Sequence, residues 1–251
     1  MAPDYIIQKI KNQKIIILGF GKEGVSIYHF IRKYFPKMPL AVADRSEALC
    51  IDDLQDSHLT VVKGADYDQN LNRYDLIFKT PGVSFNNLNY LVDTKKITSQ
   101  TNLFLEAFHQ QIIGVTGTKG KSTTASLIYH LLKSAGKDTI LAGNIGVPFF
   151  DIIDKMNDTT LVVAELSAHQ LEYVHASPDY AVLLNLYQEH LDHFNSFSNY
   201  QLAKMNITKY QSPDNFLVYN GDDQHIPDLV KSHGYIRDFC IFGAMPRQGN
   251  Y

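Results

Sequence analysis

Gly114-Val-Thr-Gly-Thr-Lys-Gly-Lys-Ser-Thr-Thr124 is the stretch that decides how this chain folds. Gly114, Gly117 and Gly120 lead into Lys121-Ser-Thr123, behind a short apolar strand at Ile112-Ile113 and ahead of an amphipathic helix. Glycines in such a turn let backbone N–H groups close around phosphate oxygens. Lys121 brings a point charge, the Ser122 hydroxyl can ligand magnesium, and the N-terminus of the following helix favours an anion. The run reads as a nucleotide triphosphate cradle. Its spacing departs from the usual phosphate loop, because Val115 stands where a glycine is expected.

The strand–loop–helix order extends outward from this point. The helix after the loop carries Leu127, Ile128, Leu131 and Leu132 on one face and ends at Gly136. Strands are expected at Thr139–Leu141, Leu161–Ala164, Ala181–Leu184, Phe216–Tyr219 and Phe239–Phe242. A helix is expected from Phe197 to Tyr210, with Ser196 or Ser198 as its cap. Upstream, Lys14–Leu18 reads as a buried strand and runs into Gly19-Phe-Gly21-Lys-Glu-Gly24. A helix follows from Val25 to Tyr34, and further strands at Leu40–Ala43, Thr60–Val62 and Asp75–Phe78. Short strands alternating with helices predict doubly wound parallel sheets of the α/β class. The pattern restarts near residue 101. It predicts a Rossmann-like parallel-sheet domain over 1–100 and a phosphate-loop ATPase domain over 101–251.

Composition sets the bounds. The chain has 251 residues, 45% of them hydrophobic, with a net charge of −3. That is enough for two modest domains with real cores, and gives no basic surface for nucleic acid. Cys50 and Cys240 have no partner at metal-ligand spacing and read as unpaired thiols of a reducing compartment. The longest apolar runs, such as Ile15–Leu18, are too short to span a bilayer, and the N-terminus lacks the apolar core of a signal peptide. The expectation is a soluble cytoplasmic protein.

Gly19, Gly21 and Gly24 follow a strand and open a helix, and Asp44 ends the next strand about 20 residues on. This is the dinucleotide fingerprint in its proper context. Taken alone it suits NAD or a nucleotide sugar equally, since pyrophosphate and ribose are what the glycines and the acid address. In the second unit, Glu165 ends the strand beside the phosphate loop, where it can hold magnesium or water. Asn185 ends the next strand and leads to Glu189-His190-Leu-Asp192-His193. His190 is placed for a task at the site, while nothing in the sequence fixes His193 to it. Lys204 sits among Ala203, Met205 and Ile207, where a lysine ordinarily snorkels to the surface. Gly143-Asn144-Ile-Gly146 reads equally as a ligand loop and as a plain turn.

Together, the Gly-Thr-Lys-Gly-Lys-Ser-Thr loop, Gly143-Asn-Ile-Gly146, Ala164-Glu-Leu-Ser-Ala-His-Gln-Leu-Glu172, Asn185…Glu189-His-Leu-Asp192 and Tyr200-Gln-Leu-Ala-Lys204 resemble the Mur ligases of peptidoglycan synthesis. Thr80-Pro-Gly-Val-Ser84 belongs to the same resemblance, which covers nearly the whole chain and lies nearest the D-glutamate-adding members. It implies an ADP-forming ligase that joins D-glutamate to UDP-N-acetylmuramoyl-L-alanine through an acyl phosphate. Its cofactors would be ATP and two magnesium ions, and the full-length enzyme would be a monomer. Gly117, Thr118, Lys119, Gly120, Lys121, Ser122 and Thr123 would bind ATP. Ser122, Glu165, His190 and Lys204 would serve the metals, Lys204 as the lysine that CO2 carbamoylates. Lys121, His190 and Lys204 would be the catalytic set. Gly21, Lys22, Glu23, Gly24, Asp44, Arg45, Thr80, Gly82 and Asn144 would surround the nucleotide sugar. The resemblance thus favours nucleotide sugar over NAD and reverses the surface reading of Lys204. Two residues depart from the family pattern: Lys119 stands for the usual asparagine, and Glu189 for an aspartate. The match ends at Tyr251 before the family's central domain is complete, which implies a fragment without the third domain. A binding module without ligase activity, or another Mur-type amino-acid ligase, are the competing expectations.

Overall fold

The computed structural model describes residues 2–49, 51, 54–86, 88, 90–232 and 239–242. Cys50, one of the two cysteines expected to be unpaired, lies outside them. Two parallel sheets organise the described chain. The first contains β1 (Ile15–Leu18), β2 (Leu40–Asp44), β3 (Leu59–Lys63), β4 (Leu76–Lys79) and β5 (Ile97–Thr98) in the order β3-β2-β1-β4-β5. Every pairing is parallel. The all-apolar run of β1 is buried along its length, as a central strand covered on both faces must be. Strand order reverses direction between β1 and β4, and a crevice opens at that switch point beyond their carboxyl ends.

The helix α1 (Ala2–Ile10) precedes this sheet, and α2 (Lys22–Tyr34) follows β1. Helix α2 starts at the glycine turn and stops before Pro36, burying Ile27, Phe30 and Ile31 at helical spacing. Helix α3 (Gln100–Phe108) was not foreseen from the sequence. Its cap is Ser99, whose side chain accepts from the Asn102 amide, and it is buried almost all round. The loss of a polar face hides its helical period.

The second sheet contains β6 (Ile112–Thr116), β7 (Thr139–Gly143), β8 (Leu161–Glu165), β9 (Tyr180–Leu183), β10 (Phe216–Asn220) and β11 (Phe239–Phe242) in the order β11-β10-β9-β6-β8-β7. These strands too are paired in parallel. The helices are α4 (Lys121–Ser134), α5 (Ala168–Leu171), α6 (Leu191–Phe194), α7 (Phe197–Lys209) and α8 (Ile226–Ser232). Ser196 is the cap of α7, accepting from the Asn199 amide. Helix α4 packs over β6, β8 and β7. On that same face, Tyr180 and Phe216 of the paired strands β9 and β10 are 52% and 41% exposed. Among the described residues no helix is long and apolar enough to cross a membrane.

One apolar core runs through both halves, from Ile15, Ile27 and Phe30 to Phe104, Phe150 and Ile153. Phe150, after β7, stacks obliquely on Phe30 of α2 with ring centroids 4.4 Å apart. Polar contacts reinforce the seam: Ser26 donates to Asp151 at 2.6 Å and Lys22 Nζ to the Gly146 carbonyl at 2.7 Å.

The last two of the fingerprint glycines, Gly21 at the cap of α2 and Gly24 in its first turn, differ in what they demand. A Cβ on Gly24 would lie 2.2 Å from the Gly19 carbonyl oxygen, whereas one on Gly21 would meet nothing within 4 Å. Gly24→Ala is therefore expected to lower unfolding free energy by about 2 kcal/mol or more. Gly21→Ala should change it by about 1 kcal/mol at most. Urea denaturation of the two variants checks the contrast.

Candidate active site

The loop between β6 and α4 is bent by two glycines. Gly120 takes φ +84° at the helix start, and Gly117, at φ +155°, lies so close to its neighbour strand that a Cβ would sit 2.8 Å from Leu184 Cβ. The loop is then fixed from β9. Thr118 N–H donates to the Asn185 carbonyl at 2.9 Å. The Asn185 side chain takes both backbone groups of the next residue: Lys119 N–H donates to Oδ1 at 2.8 Å, and Nδ2 donates to the Lys119 carbonyl at 3.0 Å. Thr118 Oγ1 accepts from Tyr187 N–H at 2.9 Å and shares a hydrogen bond of 3.0 Å with the Tyr200 hydroxyl. Amides of the first turn of α4, including those of Ser122 and Thr123, have no intrahelical acceptor and face outward as anion donors. Lys121 Nζ rests on the Thr118 carbonyl at 3.1 Å. Lys119 extends into solvent and pairs with Glu189.

Lys204 lies beneath the loop. It is 1% exposed, and its Nζ donates to the Gly117 carbonyl at 2.8 Å and lies 3.4 Å from Thr116 Oγ1. It also sits 4.9 Å from the centre of the Tyr200 ring. The surface position that residue pattern alone suggests for Lys204 is thus overturned: the apolar neighbours along α7 pack inward and carry the lysine with them. Burial, reinforced by the charge of Lys121, pulls its amine down from the ordinary 10.5 to about 7. At neutral pH a large share of it is unprotonated and nucleophilic.

Glu165, at the end of β8, is 1% exposed. One carboxyl oxygen accepts from Asn144 Nδ2 at 2.7 Å, while Oε2 is buried with no partner. A carboxyl oxygen left bare in the interior is costly, and a hard cation is a natural partner for it. The bare carboxyl oxygen of Glu165 thus fits a hard cation such as magnesium. Among the described residues no three His, Cys, Asp or Glu side chains converge on a ready-made metal centre.

His190 caps α6 in the left-handed conformation, φ 56°, an uncommon state for a residue with a Cβ. Its ring packs edge-on against His169 at 4.8 Å, and His169 in turn meets His193 at 4.3 Å. Burial, and then the neighbouring His193 and His190, depress His169 to about 4, so it is neutral at physiological pH. His193, which no sequence signal fixed in place, is held firmly: its Nε2 lies 3.0 Å from Glu172 Oε2. The same oxygen accepts from Lys79 Nζ at 3.0 Å, across from β4 of the first sheet. Burial raises the Glu172 carboxyl, but the His193 hydrogen bond and the Lys79 ammonium outweigh it and hold the group below its ordinary range.

A cavity of about 720 Å³ fills the switch point of the first sheet. Gly21, Lys22, Glu23, Asp44, Arg45, Thr80 and Gly82 line it, and Asn144 joins them from the end of β7. Gly24 does not line it; that glycine serves the close packing of turn and helix. Asp44 is not idle in the wall, since it accepts from the Phe20 and Ser46 amides at 2.7 and 2.8 Å. Glu23 turns toward the second half, accepting from Gln170 Nε2 at 2.8 Å, and burial raises its carboxyl above the ordinary value. Gln170 also closes a capping box with Ser167 at the start of α5.

The sequence-predicted residues thus fall into two groups, the cavity set and the loop set, joined by the Asn144–Glu165 hydrogen bond. Sequence reasoning missed Lys79, His169, Glu172 and the clamp made by Asn185 and Tyr200. Glu172 and His169 lie within the Glu-Leu-Ser-Ala-His-Gln-Leu-Glu run, which was the available signal for them. Lys79 had none, because only the tertiary fold brings β4 beside α5.

Residues 115–238 match the Mur ligase middle domain. The chain is 36% identical over 219 residues to a UDP-N-acetylmuramoylalanine--D-glutamate ligase of Clostridium botulinum (strain Loch Maree / Type A3), covering 85% of this chain and 48% of that protein. It is 34% identical over 223 residues to the ligase of the same name from Acetivibrio thermocellus, covering 86% and 47%. The chain spans about half the length of the curated relatives it matches. Among solved structures, the UDP-N-acetylmuramate:L-alanyl-gamma-D-glutamyl-meso-diaminopimelate ligase from Neisseria meningitides superimposes with a TM-score of 0.55 at 19% identity, covering 92% of this chain and 78% of that one. That is a likeness of fold.

The buried Lys204 generates a pH dependence. Folded, it titrates at about 7; unfolded, near 10.5. Between those values the unfolded chain binds the extra proton, so stability rises with pH from about 7 upward, by at most about 1.4 kcal/mol per unit. The penalty is present in full below pH 7. Urea unfolding at pH 7 and pH 9 should show this rise in the wild type and a much flatter response in Lys204→Met.

Proposed function

The chain belongs to the Mur ligase family, and from that premise we propose that it carries the nucleotide-sugar and ATP sites of a D-glutamate-adding ligase of peptidoglycan synthesis. The proposed reaction joins D-glutamate to UDP-N-acetylmuramoyl-L-alanine with conversion of ATP to ADP and phosphate. The observation that carries this reading is the 2.7 Å hydrogen bond between Asn144 and Glu165. It ties the wall of the cavity to the floor of the phosphate loop, so a ligand in one presents its end to the other.

In this reading the cavity takes the uridine diphosphate. Gly21 and the start of α2 at Lys22 and Glu23 supply backbone donors, Lys22 and Arg45 supply charge, and Thr80, Gly82 and Asn144 complete the walls. The muramoyl-alanine carboxylate then extends past Asn144 toward Glu165. At the loop, Gly117 to Thr123 hold the triphosphate, with Lys121 as its principal cation. The substrate carboxylate oxygen attacks the γ-phosphorus, the bond to the bridging oxygen breaks, and ADP leaves with that electron pair. The amine of D-glutamate next attacks the acyl phosphate carbonyl, and phosphate departs. Positioning and charge neutralisation dominate such a transfer.

Ser122 and Glu165 would hold one magnesium ion, and His190 with a carbamoylated Lys204 a second. Magnesium, when bound, neutralises the charge of the triphosphate and the attacking carboxylate. Two features of this chain favour the carbamate. With its amine lowered to about 7, Lys204 has a substantial fraction in the neutral form that CO2 requires, and the unpartnered Glu165 oxygen already calls for a cation nearby.

Three measurements test the reading. Calorimetric titration should show binding of UDP-N-acetylmuramoyl-L-alanine and none of NAD; the reverse result removes the substrate assignment. Lys121→Ala should weaken MgATP binding by about a hundredfold, as expected for loss of a charge-assisted phosphate contact; unchanged affinity removes the loop assignment. Under 13C-labelled CO2, a carbamate carbon resonance should appear in the wild type and vanish in Lys204→Met. A spectrum identical in both removes the carbamate.

A further inference from the structure

The ion pair between Lys119 and Glu189 stands at the rim of the phosphate loop. The backbone and the side chain of Lys119 are held very differently. The Lys119 backbone is locked on both sides by the Asn185 amide, at 2.8 and 3.0 Å. The Lys119 side chain is 70% exposed and pairs with the Glu189 carboxylate. Glu189 follows β9 on the same loop as His190 and lies within electrostatic reach of Lys121 as well.

We propose that Glu189 is a built-in counter-ion, occupying Lys119 until an incoming triphosphate displaces it, and that it thereby sets nucleotide affinity. The inference rests on the reading of residues 117–123 as a triphosphate cradle and adds to it a residue that tunes the site without touching the reacting atoms. The exchange runs downhill for two reasons. Exposed ion pairs are the weakest class of charge contact, screened by water and salt. A lysine on a phosphate oxygen makes a charge-assisted hydrogen bond to a group of higher charge density. Because Asn185 fixes the backbone, the exchange needs only side-chain rotation at Lys119, which leaves the loop in place for the ligand.

The pair also explains how a carboxylate can be tolerated beside a polyanion. Bare, Glu189 would repel the triphosphate. Paired, it presents no net charge to the approaching ligand, and it hands over a cation on arrival. These two effects have opposite signatures. If Glu189 acts by holding Lys119, removing its charge helps only while Lys119 is present. If it acts by direct repulsion, removing its charge helps even more once Lys119 is gone.

A double-mutant cycle with MgATP, read by isothermal titration calorimetry on the chain, separates them. Glu189→Gln should tighten binding about two- to fivefold. Lys119→Asn should weaken it about tenfold. The double variant should match Lys119→Asn alone. Affinity that is unchanged or weaker in Glu189→Gln overturns the proposal, as does tightening that persists in the double variant. Lys121→Ala is the control for the underlying reading. Loss of binding there, with an inert Glu189→Gln, sinks the counter-ion role alone; undiminished binding in Lys121→Ala sinks the cradle with it.

Discussion

The seating of the phosphate loop on strand β9 is the constraint from which the site follows. Gly117 approaches Leu184 too closely for any side chain, and Asn185 pairs with both backbone groups of Lys119 as a neighbouring strand would. This fixes a loop that would otherwise be a flexible run of glycines. It also points the Gly117 carbonyl down onto Lys204, giving the buried amine an acceptor. Each group that gathers at the site is placed relative to that loop: Lys121 and Ser122 by the helix it starts, Glu165 by the adjacent strand β8, and Lys204 by the helix packed below.

Electrostatics then follows from burial. The same packing that hides Lys204 lowers its proton affinity, because a cation loses more hydration than one carbonyl and one ring face return. Glu165 is buried with an unpartnered oxygen, and His169 is held neutral by burial between two other imidazoles. A structure tuned for stability alone would not leave these groups so exposed to their own desolvation. Their strain is local and sits where the strands end, which is where an α/β sheet collects its ligands.

The two halves act together because they are not separable by a cut between sheets. The aromatic contact of Phe30 with Phe150 and the buried α3 join their cores, and Lys79 reaches from β4 to Glu172 beside the histidines. The Lys79–Glu172–His193 cluster is multiply bonded around a buried Lys79, so breaking one member would leave the others uncompensated. It braces the segment that carries His190 against the first sheet. Asn144 bridges the cavity and the loop through its hydrogen bond to Glu165.

Much of this was legible in the residues. The glycine runs, the strand periods and the order of elements predict two parallel sheets, because apolar runs of four or five residues between glycine turns admit few other arrangements. The phosphate loop, Glu165 and the fingerprint cavity are local motifs, and local motifs are written in contiguous sequence. Helix α3 escaped because a helix buried on all sides has no polar stripe to betray its period. Lys204, His193 and Lys79 could not be judged by composition, since a charged side chain at helical spacing looks the same whether its helix faces water or a neighbouring loop. The sequence alone therefore determined most of the strands and where the glycine turns fall, for those depend on neighbours in the chain. Which charges are buried, and so which pKa values move, was decided only when β4, β9 and α7 came together around the loop, because desolvation is a property of the packed neighbourhood and not of the residue.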